Sequence, residues 1–190
     1  MHSTVVVAPQ GELAEVDTSA AITLMRRLLD RSPAVRSAAR AGVLAAPHRA
    51  LPPVLYALSE NLVAAGEPAE AAAWFHAGQL RARFDAARCT DPTAAAAVGA
   101  LRERFGGPVH HWTSGDPARL RQAVVRAAAW DRAAGHDYDH RWIALHGMGA
   151  FTGPGTGVSI PERDWPATAT RVRAEYLAGL RALLRERFGG

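Results

Sequence analysis

Apolar residues recur at three- and four-residue intervals along most of this chain, and the pattern breaks where proline and glycine fall. Ala21, Leu24, Leu28 and Leu29 predict a helix capped by Thr18 and running to about Arg31. Ser32-Pro33 supplies the cap and first residue of a second helix, ending at Gly42. Leu55, Leu58 and Leu62 mark a third, closed by Gly66. Glu67-Pro68 then restarts the chain, with proline in a first turn and an acid at the positive end of the helix dipole. Thr90-Asp91-Pro92 opens a helix through Val98 and Leu101 to Phe105. Gly106-Gly107-Pro108 reads as its stop, which leaves residues 108–115, with His110, His111 and Trp112, as a loop. Residues 116–134 predict another helix. Ser159-Ile160-Pro161-Glu162 has capping-box spacing, and Asp164-Trp165-Pro166 offers a second start signal. The last helix carries Val172, Tyr176, Leu180, Leu183 and Leu184 on one face, with Arg171, Arg173, Glu175, Arg181 and Arg185 mostly on the other. Apolar residues 5–7 and 13–16 flank Pro9-Gln10-Gly11, the signature of a short β-hairpin or extended arm. The predicted fold class is all-α, built from antiparallel helical hairpins, with an arm or hairpin over 1–17 and a single helical domain over 18–190.

Residues 55–84 are the most specific stretch. Ser59 is a small neighbour where a second helix could approach closely, and Ala71, Phe75 and Gly78 present small, large, small along the partner helix. Leu58, Ser59, Leu62, Gly66, Ala71, Phe75 and Gly78 occupy the small and large sites of one tetratricopeptide or Sel1-like repeat, which this stretch resembles over about one unit of roughly 34 residues. Arg83 stands where such a repeat usually has proline. Gly115-Asp116-Pro117-Ala118 echoes Gly66-Glu67-Pro68-Ala69, with Leu120, Val124 and Ala127 in place of Ala71, Phe75 and Gly78, but the glycines and proline at 106–108 predict that no intact helix precedes this copy. The resemblance implies a TPR-like or irregular bundle. It also implies a binding role, since such proteins commonly hold a peptide or protein on a helical surface. Residues 74–89 and 136–151 look like a group of small bacterial proteins, which implies that both segments belong to one domain.

At 190 residues and 48% hydrophobic content, the chain is long enough to bury its own core. All 22 basic residues are arginine and none is lysine, a pattern that looks like the codon bias of a GC-rich bacterial genome. The net charge of +4 is modest and bases alternate with acids, so the concentrated basic face of a nucleic-acid binder is missing. No apolar run reaches the length of a membrane span and the first residues lack an export pattern, so a cytoplasmic protein is expected. Cys89 is the single cysteine, which excludes an internal disulfide.

Candidate chemistry concentrates in HDYDHRWIALHGMGAF, residues 136–151. His136, Asp137, Asp139, His140 and His146 offer imidazoles and carboxylates of the kind that ligate zinc or manganese or move protons, though their spacing matches neither HExxH nor a paired Cys/His set. Against that stands a plain structural reading. Asp137 caps a helix beginning near 137 or 138, Arg141 pairs with an acid, and Tyr138 and Trp142 pack inward. Gly147, Gly149, Gly153, Gly155 and Gly157 form a flexible stretch without the Gly-Lys-Ser/Thr ending of a P-loop. On the helix before Cys89, Arg81, Asp85 and Arg88 share one stripe, a buried network if turned inward and weak surface pairs if turned outward. Two function classes follow. The first is a non-enzymatic module, an immunity or adaptor protein, that contacts another bacterial protein or peptide near Trp74, Arg81, Trp142 and Gly149, with no cofactor, nucleic acid or membrane. The second is a metal-dependent or acid–base enzyme using the 136–140 cluster and His146.

Overall fold

The computed structural model describes residues 8–152 and 157–189. The chain forms α1 (Ser19–Leu28), α2 (Pro33–Ala45), α3 (Pro52–Ala64), α4 (Pro68–Arg88), α5 (Ala96–Thr113), α6 (Pro117–Ala133), α7 (Gly149–Thr152) and α8 (Trp165–Phe188). Short 3-10 turns fall between them, the longest at His140–His146. No strand occurs among the described residues, only an isolated antiparallel bridge between Cys89 and Ser159. The fold is all-α, as the apolar periodicity predicts.

Helix α4 is the axis. It packs most extensively against α3 and α6, and α5 and α8 cover further sides of it. Burial runs around its circumference, from Ala71 through Phe75, Gly78 and Arg81 to Asp85 and Arg88. Small residues set the α3–α4 approach. Ser59 Oγ donates to the Ala71 carbonyl at 2.7 Å, and a Cβ on Gly78 would lie 3.1 Å from the Tyr56 ring and 3.3 Å from both Leu55 Cβ and the Pro52 carbonyl. The α3–α4 turn needs Gly66 at φ +78°, and the α5–α6 turn needs Gly115 at φ +79°. The echo between residues 66–69 and 115–118 is therefore a shared device for joining two helices.

Several boundaries differ from expectation. Gly106-Gly107-Pro108 does not stop α5, which continues to Thr113 and turns the expected His110-His111 loop into its last turns. Gly106 is a packing site, since a Cβ there would come within 2.9 Å of His110 Cε1 and 3.3 Å of Phe75 Cζ. A helix does precede the second copy. Helix α2 passes Gly42 and ends at Ala45. Residues 11–15 form a 3-10 turn that buries Leu13 against Ala144 and Ala150, so they are not a hairpin strand; residues 5–7 lie outside the described residues. Ser159 does not cap a helix. The Ile160 amide donates to the Arg88 carbonyl at 2.9 Å and the Thr90 amide to the Val158 carbonyl at 3.1 Å, which clamps this segment onto the end of α4, and α8 starts at Trp165 instead. Among the described residues no helix is long and apolar enough to cross a membrane.

Candidate functional site

The stripe Arg81, Asp85, Arg88 turns inward. Arg81 and Asp85 are 0% exposed and Arg88 is 3% exposed, so three ionisable groups sit in the interior and must be matched there. Arg81 donates to the carbonyls of Gly135 at 2.8 Å and His48 at 3.3 Å, faces Asp131 at 3.4 Å, and lies 4.1 Å over the Trp130 ring. Asp131, at the end of α6, also meets His136 at 3.3 Å and accepts a 2.9 Å bond from Arg173 of α8. Burial acts to raise the Asp131 pKa, but His136, Arg173 and Arg81 outweigh it and hold the carboxyl below its ordinary range.

One turn along α4, Asp85 accepts from Arg88 at 2.6 Å, from the Trp142 indole N–H at 2.7 Å and from the Tyr138 hydroxyl at 3.3 Å. Burial pushes its carboxyl up, while Arg88 and Trp142 oppose the shift. Arg88 is sandwiched between the rings of Phe84 at 4.4 Å and Trp165 at 4.6 Å. The residues from 136 to 142 are therefore fastened to α4 by two buried carboxylates, one from α4 and one from α6.

The five proposed ligands are divided among different partners. His136 belongs to Asp131. Asp137 is exposed, lies 3.6 Å from His48 and caps no helix. The cap is Asp139, which accepts from the Arg141 amide at 2.9 Å and pairs with its guanidinium at 2.8 Å; these bonds lower its pKa. His140 Nε2 lies 2.7 Å from the Ser159 hydroxyl, with Trp165 edge-on at 4.8 Å. His146 packs against Trp142 at 5.7 Å. Among the described residues no three His, Cys, Asp or Glu side chains are grouped to hold a metal ion.

Of the residues expected at a contact surface, Arg81 and Trp142 are interior, which corrects that placement. Trp74 is half-buried, edge-on to Trp130 at 5.0 Å. The Gly149 amide donates to Asp91 at 2.7 Å, and Gly153 and Gly155 lie outside the described residues.

No protein-family model, curated protein or solved structure matches this chain. Sequence reasoning missed Asp131 and Arg173 as members of the network and Ser159 as the partner of His140. Asp131 left a signal, as the lone acid in the apolar register Val124, Ala127, Ala128, Asp131 of α6. Arg173 borders the apolar stripe of α8, whereas Ser159 left no signal.

The interior histidines imply a pH dependence. Burial lowers His76 to about 3 and His140 to about 4, against 6.5 for the free imidazole. These two histidines thus bind fewer protons in the folded chain than in the unfolded chain below pH 6.5, and their titration makes acid favour unfolding, opposed by the raised carboxyl of Asp85. Stability is expected to be full near neutrality and to fall between about pH 6.5 and about pH 4, before the lowered carboxylates Asp131 and Asp139 contribute. Urea titrations at pH 7.5, 6 and 5 (roughly spanning the onset) check this, and His76→Gln should flatten the slope.

Proposed function

We propose that this chain is a non-enzymatic, TPR-like helical module that binds another bacterial protein, in an adaptor or immunity role. One observation carries the reading: the side chains with catalytic potential are matched to one another as fasteners between helices. Asp85, Asp131, His136 and Arg81 tie α4, α6, α8 and the 136–142 segment together, so their charges are directed at one another across the interior.

The best binding surface is on α1. Ile22 is 44% exposed, and with Met25 and Leu29 it makes an apolar groove bordered by Asp30 and by Arg26 and Arg31, the two arginines having no ion pair among the described residues. That chemistry fits an acidic amphipathic helix. Affinity capture from bacterial lysate with wild type and Ile22→Asp/Arg26→Glu, followed by reconstitution with the purified candidate, tests it. A partner that binds wild type directly and loses at least tenfold affinity for the variant supports the reading; binding unaffected by the variant overturns the α1 surface, and substrate turnover overturns the non-enzymatic assignment.

A second reading, acid–base chemistry at the 136–146 segment, is favoured by the 2.7 Å approach of His140 Nε2 to the Ser159 hydroxyl, a nucleophile–base distance. Labelling by a fluorophosphonate that disappears in Ser159→Ala would support it.

A further inference from the structure

An open recess of about 310 Å³ between α4 and the start of α5 is lined by Gln79, Arg83, Ala86, Val98 and Arg102 together with Ala95 and Gly99. Its polar chemistry is one-sided. Arg83 is held 5.1 Å over the Tyr176 ring, and neither Arg83 nor Arg102 has a carboxylate within ion-pair distance among the described residues. Gln79 is 5% exposed, and its side-chain oxygen is occupied by the Tyr176 hydroxyl at 2.5 Å, which leaves its amide N–H groups without a protein partner. His76 Nδ1 lies 2.6 Å from the same hydroxyl. Gln79, with amide N–H groups that have no protein partner, and two exposed arginines without a carboxylate partner thus line a space with no acid, and the remaining wall is aliphatic.

Donors without acceptors select an anion, and the planar forks of two arginines match a carboxylate's two oxygens. We propose that the α4–α5 recess binds a carboxylate carrying a short apolar group, with Arg83 and Arg102 on its oxygens, the Gln79 amide donating from below and Ala86 and Val98 against the apolar group. This site is separate from the α1 surface and does not depend on it. Two sources present that chemistry: a small free carboxylic acid and the C-terminus of a peptide.

The test uses NMR of the full chain labelled with ¹⁵N, titrated with butyrate, butyramide, inorganic phosphate, and an alanine-rich peptide with a free or amidated C-terminus. Saturable shifts of the Arg83 and Arg102 Nε–H and Gln79 amide signals by butyrate, with none from butyramide, are expected. Arg83→Gln and Arg102→Gln should each weaken binding about tenfold or more at an unchanged melting temperature, because both side chains are exposed. Tighter binding of the free-carboxylate peptide than of butyrate assigns the source to a chain terminus, and the reverse assigns it to a small acid. Equal shifts from butyrate and butyramide, stronger binding of phosphate, no saturation by any probe, or indifference of both variants would overturn the proposal.

Discussion

Replacing Arg81 by alanine is expected to remove about 3–5 kcal/mol of folding stability, the range for deleting one partner of a buried ion pair. The guanidinium joins α4 to three separate stretches: the His48 carbonyl before α3, the Gly135 carbonyl after α6, and the Asp131 carboxylate within α6. The variant would take one of three partners from a carboxylate that is 4% exposed, leaving it Arg173 and His136, and would leave carbonyls unmatched and open a void beneath Trp130. Arg81→Lys keeps a charge but supplies one compact ammonium where a planar fork reaches several acceptors, so it should recover only part of the loss. Urea unfolding followed by tryptophan emission measures both. A loss under about 1 kcal/mol for Arg81→Ala, the level of an exposed pair, would show that the network does not hold these segments together.

Asp85→Ala should be comparably damaging, again about 3–5 kcal/mol, because it orphans Arg88, the Trp142 N–H and the Tyr138 hydroxyl at once. Asp85→Asn should cost less, since an amide oxygen still accepts from Trp142. Removing both charges discriminates between a network that stabilises and one that must merely be matched. In Asp85→Leu/Arg88→Met, an unbranched apolar side chain stays between Phe84 and Trp165 and no charge is left stranded. The double variant should be more stable than Asp85→Ala, as replacement of a whole buried pair often is. Equilibrium denaturation of all three variants at pH 7 tests the order. A double variant less stable than Asp85→Ala would mean that the charges contribute more than mutual compensation.

Much of the architecture is legible in the residues. Ser32 and Asp116 cap the helices they precede, Ser32 Oγ accepting from the Val35 amide and Asp116 from the Ala118 and Arg119 amides. The small positions Ser59, Ala71 and Gly78 do set a close helix approach. These features are local, and dihedral preference and side-chain volume decide them. Glycine misleads at 106, because it serves equally as a helix stop and as room for a neighbour, and only the position of Phe75 on α4 tells the two apart. Ser159 misleads for the same reason: its hydroxyl is offered either to a nearby amide or to a distant imidazole, and His140 takes it.

The candidate site follows the same division. The sequence by itself determined which groups carry charge, that Arg81, Asp85 and Arg88 share a helical stripe, and that a helical chain would have to place that stripe either inside or outside. The tertiary structure alone decided that the stripe is inside, that Asp131 and Arg173 from other helices complete it, and that the 136–146 histidines are parted among different partners. The reason is physical. Helical periodicity and capping act over a few residues and are written in adjacent positions, whereas matching a buried charge acts through space between residues dozens of positions apart, and any of several acids could have met Arg81 until packing brought α6 against α4.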